Sequence, residues 1–100
     1  MSLSKKANLP RKFDTTKEFT KDWKRLSHSG VFNMNSLKEA MMLLVANNGP
    51  LPPEYLDHPL HGDWVNHRDC HVGGDFLLIY RLKDDEVIFV RAGTHADLFE

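Results

Sequence analysis

The spacing of apolar positions changes twice along the chain and divides it into three stretches. Residues 1–10 show no apolar period and end in Pro10, which fits a flexible leader ahead of the folded unit. Helical spacing follows. Phe19, Trp23 and Leu26 fall at i, i+4 and i+7, so a helix over about 16–28 has one apolar face, and Thr15 with Glu18 fits a capping box at its start. Ser29-Gly30 ends it. Leu37, Met41, Leu44 and Val45 make a second stripe, opened by Ser36 with Glu39 and closed by Asn47-Asn48-Gly49-Pro50. The Met41-Met42 pair reads as core filling. Ahead of both helices, Arg11 to Asp14 fits a short edge strand.

Beyond Gly49 the helical spacing is lost. Leu51-Pro52-Pro53-Glu54-Tyr55-Leu56-Asp57-His58-Pro59-Leu60 contains three prolines, each lacking a backbone donor, so it is neither helix nor central strand but a loop long enough to carry function. From Trp64 onward the residues suit a sheet, with strands over about 64–72, 75–82 and 87–92 joined at Gly73-Gly74 and at Lys83-Asp84-Asp85-Glu86. The order (β)ααβββ predicts an α+β domain over residues 11–100, its two N-terminal helices packed on one face of a small twisted antiparallel sheet.

Period-two alternation predicts the faces. A Gly73-Gly74 turn opposes His71 to Phe76, and an Asp84-Asp85 turn opposes Tyr80 to Phe89 and Leu78 to Arg91. One face then carries His71, Phe76, Leu78, Tyr80, Phe89 and Arg91. The other carries Val72, Leu77, Ile79, Ile88 and Val90, an aliphatic set suited to packing under the helices. Asp75 falls on the aliphatic face in that register, whereas a three-residue Val72-Gly73-Gly74 loop opposes it to His71. Both registers stay open.

Charge sharpens the picture. Residues 1–28 hold eight Lys/Arg against three acids, while the remaining 72 hold five against eleven. Lys17, Lys21, Lys24 and Arg25 line the polar face of the first helix, which points to a local contact with a polyanion. Cys70 is the only cysteine, which excludes an internal disulfide and any multi-cysteine metal cluster and fits a reducing cytosol. No apolar run reaches the roughly 18 residues of a membrane span, so the protein is expected to be cytoplasmic, with no membrane partner.

Six histidines in 100 residues is a high count, and imidazole exchanges protons near neutral pH. His58, His71 and His95, with Asp75 and Arg91, suit cleavage of an RNA phosphodiester. A base removes the 2′-hydroxyl proton, an acid protonates the 5′-oxygen, and Arg91 stabilises charge on the phosphoryl oxygens. Phe76 and Phe99 are candidates for stacking on splayed bases. Asp69 beside Arg68 reads as a structural ion pair, and His28, His61 and His67 as surface residues. His and Asp also ligate metals, but HExxH or similar spacing is missing, so neither metal nor cofactor is expected.

These residues form an extended pattern, LPxxYxDHPLxGxWxxxRDxHVxxDxxLIYxL followed by RxGTHAxLF, over about half the chain. In that pattern the sequence resembles the YafQ toxins of the RelE/ParE superfamily. The resemblance implies a RelE-like fold and a ribosome-dependent endoribonuclease that cleaves mRNA in the A site of the 70S ribosome. It also implies neutralisation by a cognate antitoxin, a small DNA-binding protein of the DinJ/RelB kind. Matching positions carry over His58, His71, Asp75 and His95 as the acid–base group, Arg91 on phosphate, and Phe76 and Phe99 in substrate positioning. Phe76 stands where the family often has Trp, so stacking is kept but the indole donor is lost. The alternative is a non-catalytic relative that only binds antitoxin or ribosome.

Overall fold

Where each helix starts is decided by which side chain turns back onto its free N–H groups. A computed structural model describes residues 9–100; Met1 to Asn8, most of the expected leader, lie outside the described residues. The first helix, α1 (Lys17–Ser29), is capped by Thr16, whose hydroxyl accepts from Phe19 N–H at 2.9 Å, one residue later than the Thr15 box expected. It ends at Gly30 in the left-handed region, φ 74°. The second, α2 (Met34–Ala46), starts at Asn33, which accepts from Ser36 N–H at 3.1 Å. Ser36 therefore lies inside the helix instead of capping it. Asn47, not Gly49, takes the left-handed close, φ 58°. Met41 joins the core, while Met42 is 72% exposed, so only half of the expected methionine pair fills space.

The sheet is five-stranded and mixed rather than wholly antiparallel, in the order β1-β5-β4-β3-β2. Its strands are β1 (Lys12–Thr15), β2 (His58–Pro59), β3 (Arg68–Gly73), β4 (Phe76–Lys83) and β5 (Glu86–Gly93), and a short helix α3 (His95–Phe99) closes the chain. Two helices separate β1 from its partner, so no hairpin constrains its direction, and it runs parallel to β5. No helix among the described residues is long and apolar enough to cross a membrane.

β3 begins four residues later than the alternation suggests, because Gly62–Trp64 form a 3-10 turn whose exit is tied by His67 N–H to Trp64 O at 3.0 Å. Its other end corrects the register. Gly73 pairs with Phe76 and a bulge between His71 and Gly73 takes up one residue, so the turn residues are Gly74-Asp75 and His71 opposes Leu77. Neither expected register is formed. A second irregularity, between Ile79 and Tyr80, keeps Tyr80 opposite Phe89 but moves Leu78 from Arg91 to Ala92.

The one-residue slip takes His71 off the face of Phe76 and onto that of Leu77, and the helices cover the face opposite to the one expected. The helices pack on Cys70, Val72, Phe76, Leu78, Tyr80, Val87, Phe89 and Ala92, the set assigned from sequence largely to the open side. Leu77 and Ile79 lie on the other face with Leu98 of α3, and half-buried Leu60, Trp64 and Val90 complete that smaller cluster. Aromatic rings fill the deep helix–sheet layer, and short aliphatic side chains suffice beneath the five residues of α3. His71 and Asp69, opposite Leu77 and Ile79, share this second face.

Candidate active site

His58 is placed by the residue before it. Asp57 accepts from Arg68 Nε and Nη2 at 3.3 and 3.0 Å through Oδ2, and from the Tyr80 hydroxyl through Oδ1. Burial pushes the Tyr80 phenol up, and its hydrogen bond to Asp57 adds to the shift. This half-buried clamp ties the proline-rich loop to β3 and β4, so β2 can add to the sheet edge although it is two residues long and contains Pro59. Arg68 therefore pairs with Asp57 and not with Asp69, because adjacent strand residues point to opposite faces.

Three imidazoles line up across the face opposite the helices. The ring centroids of His58 and His71 are 6.3 Å apart, and those of His71 and His95 5.9 Å. Each end of the row is anchored. His58 Nδ1 lies 2.6 Å from Leu56 O, an acceptor only, so Nδ1 carries a proton and the lone pair of the neutral ring is on Nε2. At the other end, the β3–β4 turn brings the exposed Asp75 carboxylate to His95 Nδ1, and His95 N–H also donates to it at 3.0 Å. These two bonds, the side-chain one foremost, hold the Asp75 carboxyl below the usual carboxylate range. Asp75 Oδ1 accepts, so His95 likewise presents Nε2.

α3 is held by a capping box: Thr94 Oγ1 accepts from Asp97 N–H at 3.1 Å, and Asp97 Oδ2 from Thr94 N–H at 3.0 Å. The close fit requires Gly93, since a Cβ there would meet Asp97 Oδ2 at 2.8 Å. Phe99, one turn from His95, is 39% exposed, with its ring 6.0 Å from His95 and edge-on to Trp64 at 6.1 Å. It extends the imidazole row with an accessible aromatic surface, while Leu98 closes the core. Trp64, which supports that surface, drew no functional reading from the sequence.

The other residues singled out from sequence sit elsewhere. Phe76 is 5% exposed and packs on Phe32 in the helix-side core with centroids 4.8 Å apart, so it has no ring face for a base. Arg91 Nε and Nη2 donate to Asp22 of α1 at 2.7 and 3.1 Å. Asp22 is buried; it stands on the same helix face as Phe19 and Leu26, and its charge alone made it read as a surface residue. It also accepts from Ala92 N–H at 3.0 Å, filling the edge of β5 that β1 leaves uncovered after Thr15. Arg25 bridges Asp22 and Asp97 at 3.2 and 3.3 Å, which links α1 to α3. Lys17, Lys21 and Lys24 are exposed.

Asp69 is the unforeseen member of the site. It is 2% exposed, its Oδ2 lies 3.7 Å from His58 Nε2, and its Oδ1 has no hydrogen-bond partner. Burial raises this carboxyl, opposed by the nearby charges of His58, His71 and His95. Its two-residue spacing from His71 was the available signal. Two polar hollows of about 330 and 370 Å³ flank Gly73 beside His71 and Asp75. A larger, apolar groove of about 490 Å³ is bordered by Phe13, Trp23, Met41 and Met42. It does not include the imidazoles.

Comparison with known proteins identifies the family and supports the fold. An Escherichia coli K12 protein, mRNA interferase toxin YafQ, is 45% identical over 91 residues, covering 91% of this chain and 98% of the relative. The crystal structure of YafQ from E. coli strain BL21(DE3) superposes with a TM-score of 0.85 at 43% identity, covering 90% of this chain and 99% of that one. The toxin in the crystal structure of the E. coli DinJ-YafQ toxin-antitoxin complex does so with a TM-score of 0.84 at 43% identity, covering 92% and 100%. The family model for the bacterial toxin of type II toxin-antitoxin system, YafQ, matches residues 11–100. The chain belongs to the YafQ family of bacterial type II toxins.

Proposed function

We propose that this toxin is an mRNA interferase, an endoribonuclease that cleaves mRNA in the A site of the ribosome in the cytoplasm. The observation that carries this reading is the row of three imidazoles spaced at 6.3 and 5.9 Å, anchored at one end by Leu56 O and at the other by Asp75. Cleavage by 2′-hydroxyl attack needs a base at one end of an in-line displacement and an acid at the other. A line of imidazoles supplies both from one strand pair and one helix start. One imidazole nitrogen takes the 2′-hydroxyl proton. The 2′-oxygen bonds to phosphorus, and the 5′-oxygen leaves with a proton from a second imidazole.

Asp75 orients His95 with Nε2 toward the substrate. Arg91 keeps Nη1 outside its bonds to Asp22, so one edge of the guanidinium serves the phosphoryl oxygens. Phe99 stacks on a base next to the scissile bond, and Lys17, Lys21, Lys24 and Arg25 follow a ribonucleic acid backbone along α1. The neutralising partner is a cognate antitoxin, as DinJ is in the complex with the E. coli relative.

Replacing His95 with Ala tests the reading. Growth arrest and mRNA cleavage should be lost while circular dichroism and thermal unfolding stay those of the folded protein. Toxicity that persists in this variant would sink the assignment.

A further inference from the structure

A buried carboxylate oxygen without a hydrogen bond calls for a reason other than stability. Asp69 Oδ1 is the buried side-chain polar atom without a partner among the described residues, and desolvating such a group is unfavourable. Arg68, its neighbour in sequence, is engaged by Asp57 on the other face. What surrounds Asp69 is the imidazole row. His58 opposes it across β2 and β3, His71 follows it on the same face, and His95 approaches from α3, with Asp57 the nearby acid.

His58 is held from the far side by Leu56 O, which fixes the Nδ1 proton and leaves Nε2 as the exchanging nitrogen. Nε2 lies 3.7 Å from Asp69 Oδ2. That gap is longer than a hydrogen bond, so Nε2 stays open to a third group, yet short enough for a charge on the ring to meet its counter-charge at once. We propose that Asp69 is a positioning residue for RNA cleavage: its buried carboxylate balances the His58 imidazolium whenever Nε2 carries the transferring proton. The role rests on the nuclease reading above, and neither the sequence pattern nor the family relation assigns it.

The test uses Asp69→Asn, His58→Gln and the double variant of the full chain. The pH profile of single-turnover cleavage of ribosome-bound mRNA should change in Asp69→Asn, because the counter-charge facing the proton-carrying ring is gone. At the optimum of that profile the cleavage should slow about tenfold. In the His58→Gln background the Asn substitution should add nothing. Asp69→Asn should also unfold at the same temperature as the unaltered protein or higher, since it removes a poorly compensated buried charge.

A cleavage pH profile left unchanged by Asp69→Asn would overturn the proposal. So would a loss of rate that persists undiminished in His58→Gln, or a variant that fails to fold, because each makes Asp69 structural. If the unaltered protein itself cleaves nothing, the nuclease reading fails and, with it, a role in cleavage.

Discussion

Asp22 is the residue whose loss should be felt furthest from its own position. It is 4% exposed, and its two oxygens accept from Arg91 at 2.7 and 3.1 Å, from Ala92 N–H at 3.0 Å and from Arg25 at 3.2 Å. Asp22→Ala leaves the Arg91 guanidinium without its counter-charge and the Ala92 N–H without an acceptor on the uncovered edge of β5. Breaking a buried pair costs about 3–5 kcal/mol. Arg91 is partly exposed, with a side chain 27% accessible, and water recovers part of that cost. The orphaned N–H costs about 1–3 kcal/mol more where water does not reach it. A net loss of about 3 kcal/mol is the reasonable expectation, a large share of the roughly 5–15 kcal/mol that holds a domain of this size. At about 4–8 °C per kcal/mol, thermal unfolding should come about 12–24 °C earlier. Urea unfolding with both transitions fitted for the same slope checks the free energy. A loss below about 1 kcal/mol would refute the view that Asp22 completes the sheet edge, because an exposed ion pair alone is worth that little.

Three further outcomes follow from the same contacts. Tyr80→Phe removes the hydroxyl donated to Asp57 while Arg68 remains, so urea unfolding should show a loss of about 1–2 kcal/mol. Gly93→Ala forces a methyl against Asp97 Oδ2 at 2.8 Å, at φ 156°, and should cost about 1–3 kcal/mol by thermal unfolding while weakening cleavage through displacement of His95. The Thr94 N–H and then Arg25 hold the Asp97 carboxyl below its ordinary value of 3.8, so its stabilisation is present above that value and is lost as pH falls through the lowered one. Acid titration of stability in Asp97→Asn should therefore show a shallower fall below about pH 4 than in the unaltered protein.

Much of the fold was legible because long-period features are robust to small errors. The stripes Phe19-Trp23-Leu26 and Leu37-Met41-Leu44-Val45 identified both helices, although each cap was displaced, since several hydroxyl and amide side chains compete at a helix start. Sheet faces were not legible. Which face of β4 His71 shares depends on a single bulge at Val72 and on whether Gly73 belongs to the strand or the turn, and which face the helices cover is set by tertiary packing. Phe76 lies in the core because the helices cover the face it shares with Leu78, Tyr80 and Phe89 instead of the aliphatic one. His58, His71, His95 and Asp75 came together nonetheless, since their relative placement follows from strand pairing and the α3 start more than from one turn. Asp22 and Asp69 escaped notice because burial of an acid is a tertiary fact; each looks in sequence like an ordinary surface carboxylate.

Cleavage by the imidazole row is tested by primer extension on ribosomes programmed with a defined mRNA. Free mRNA runs alongside, and the unaltered protein is compared with His95→Ala. The account predicts a cut within the A-site codon on ribosomes alone, absent in the variant. Cleavage retained by His95→Ala, or none by a protein that binds the ribosome, would contradict it.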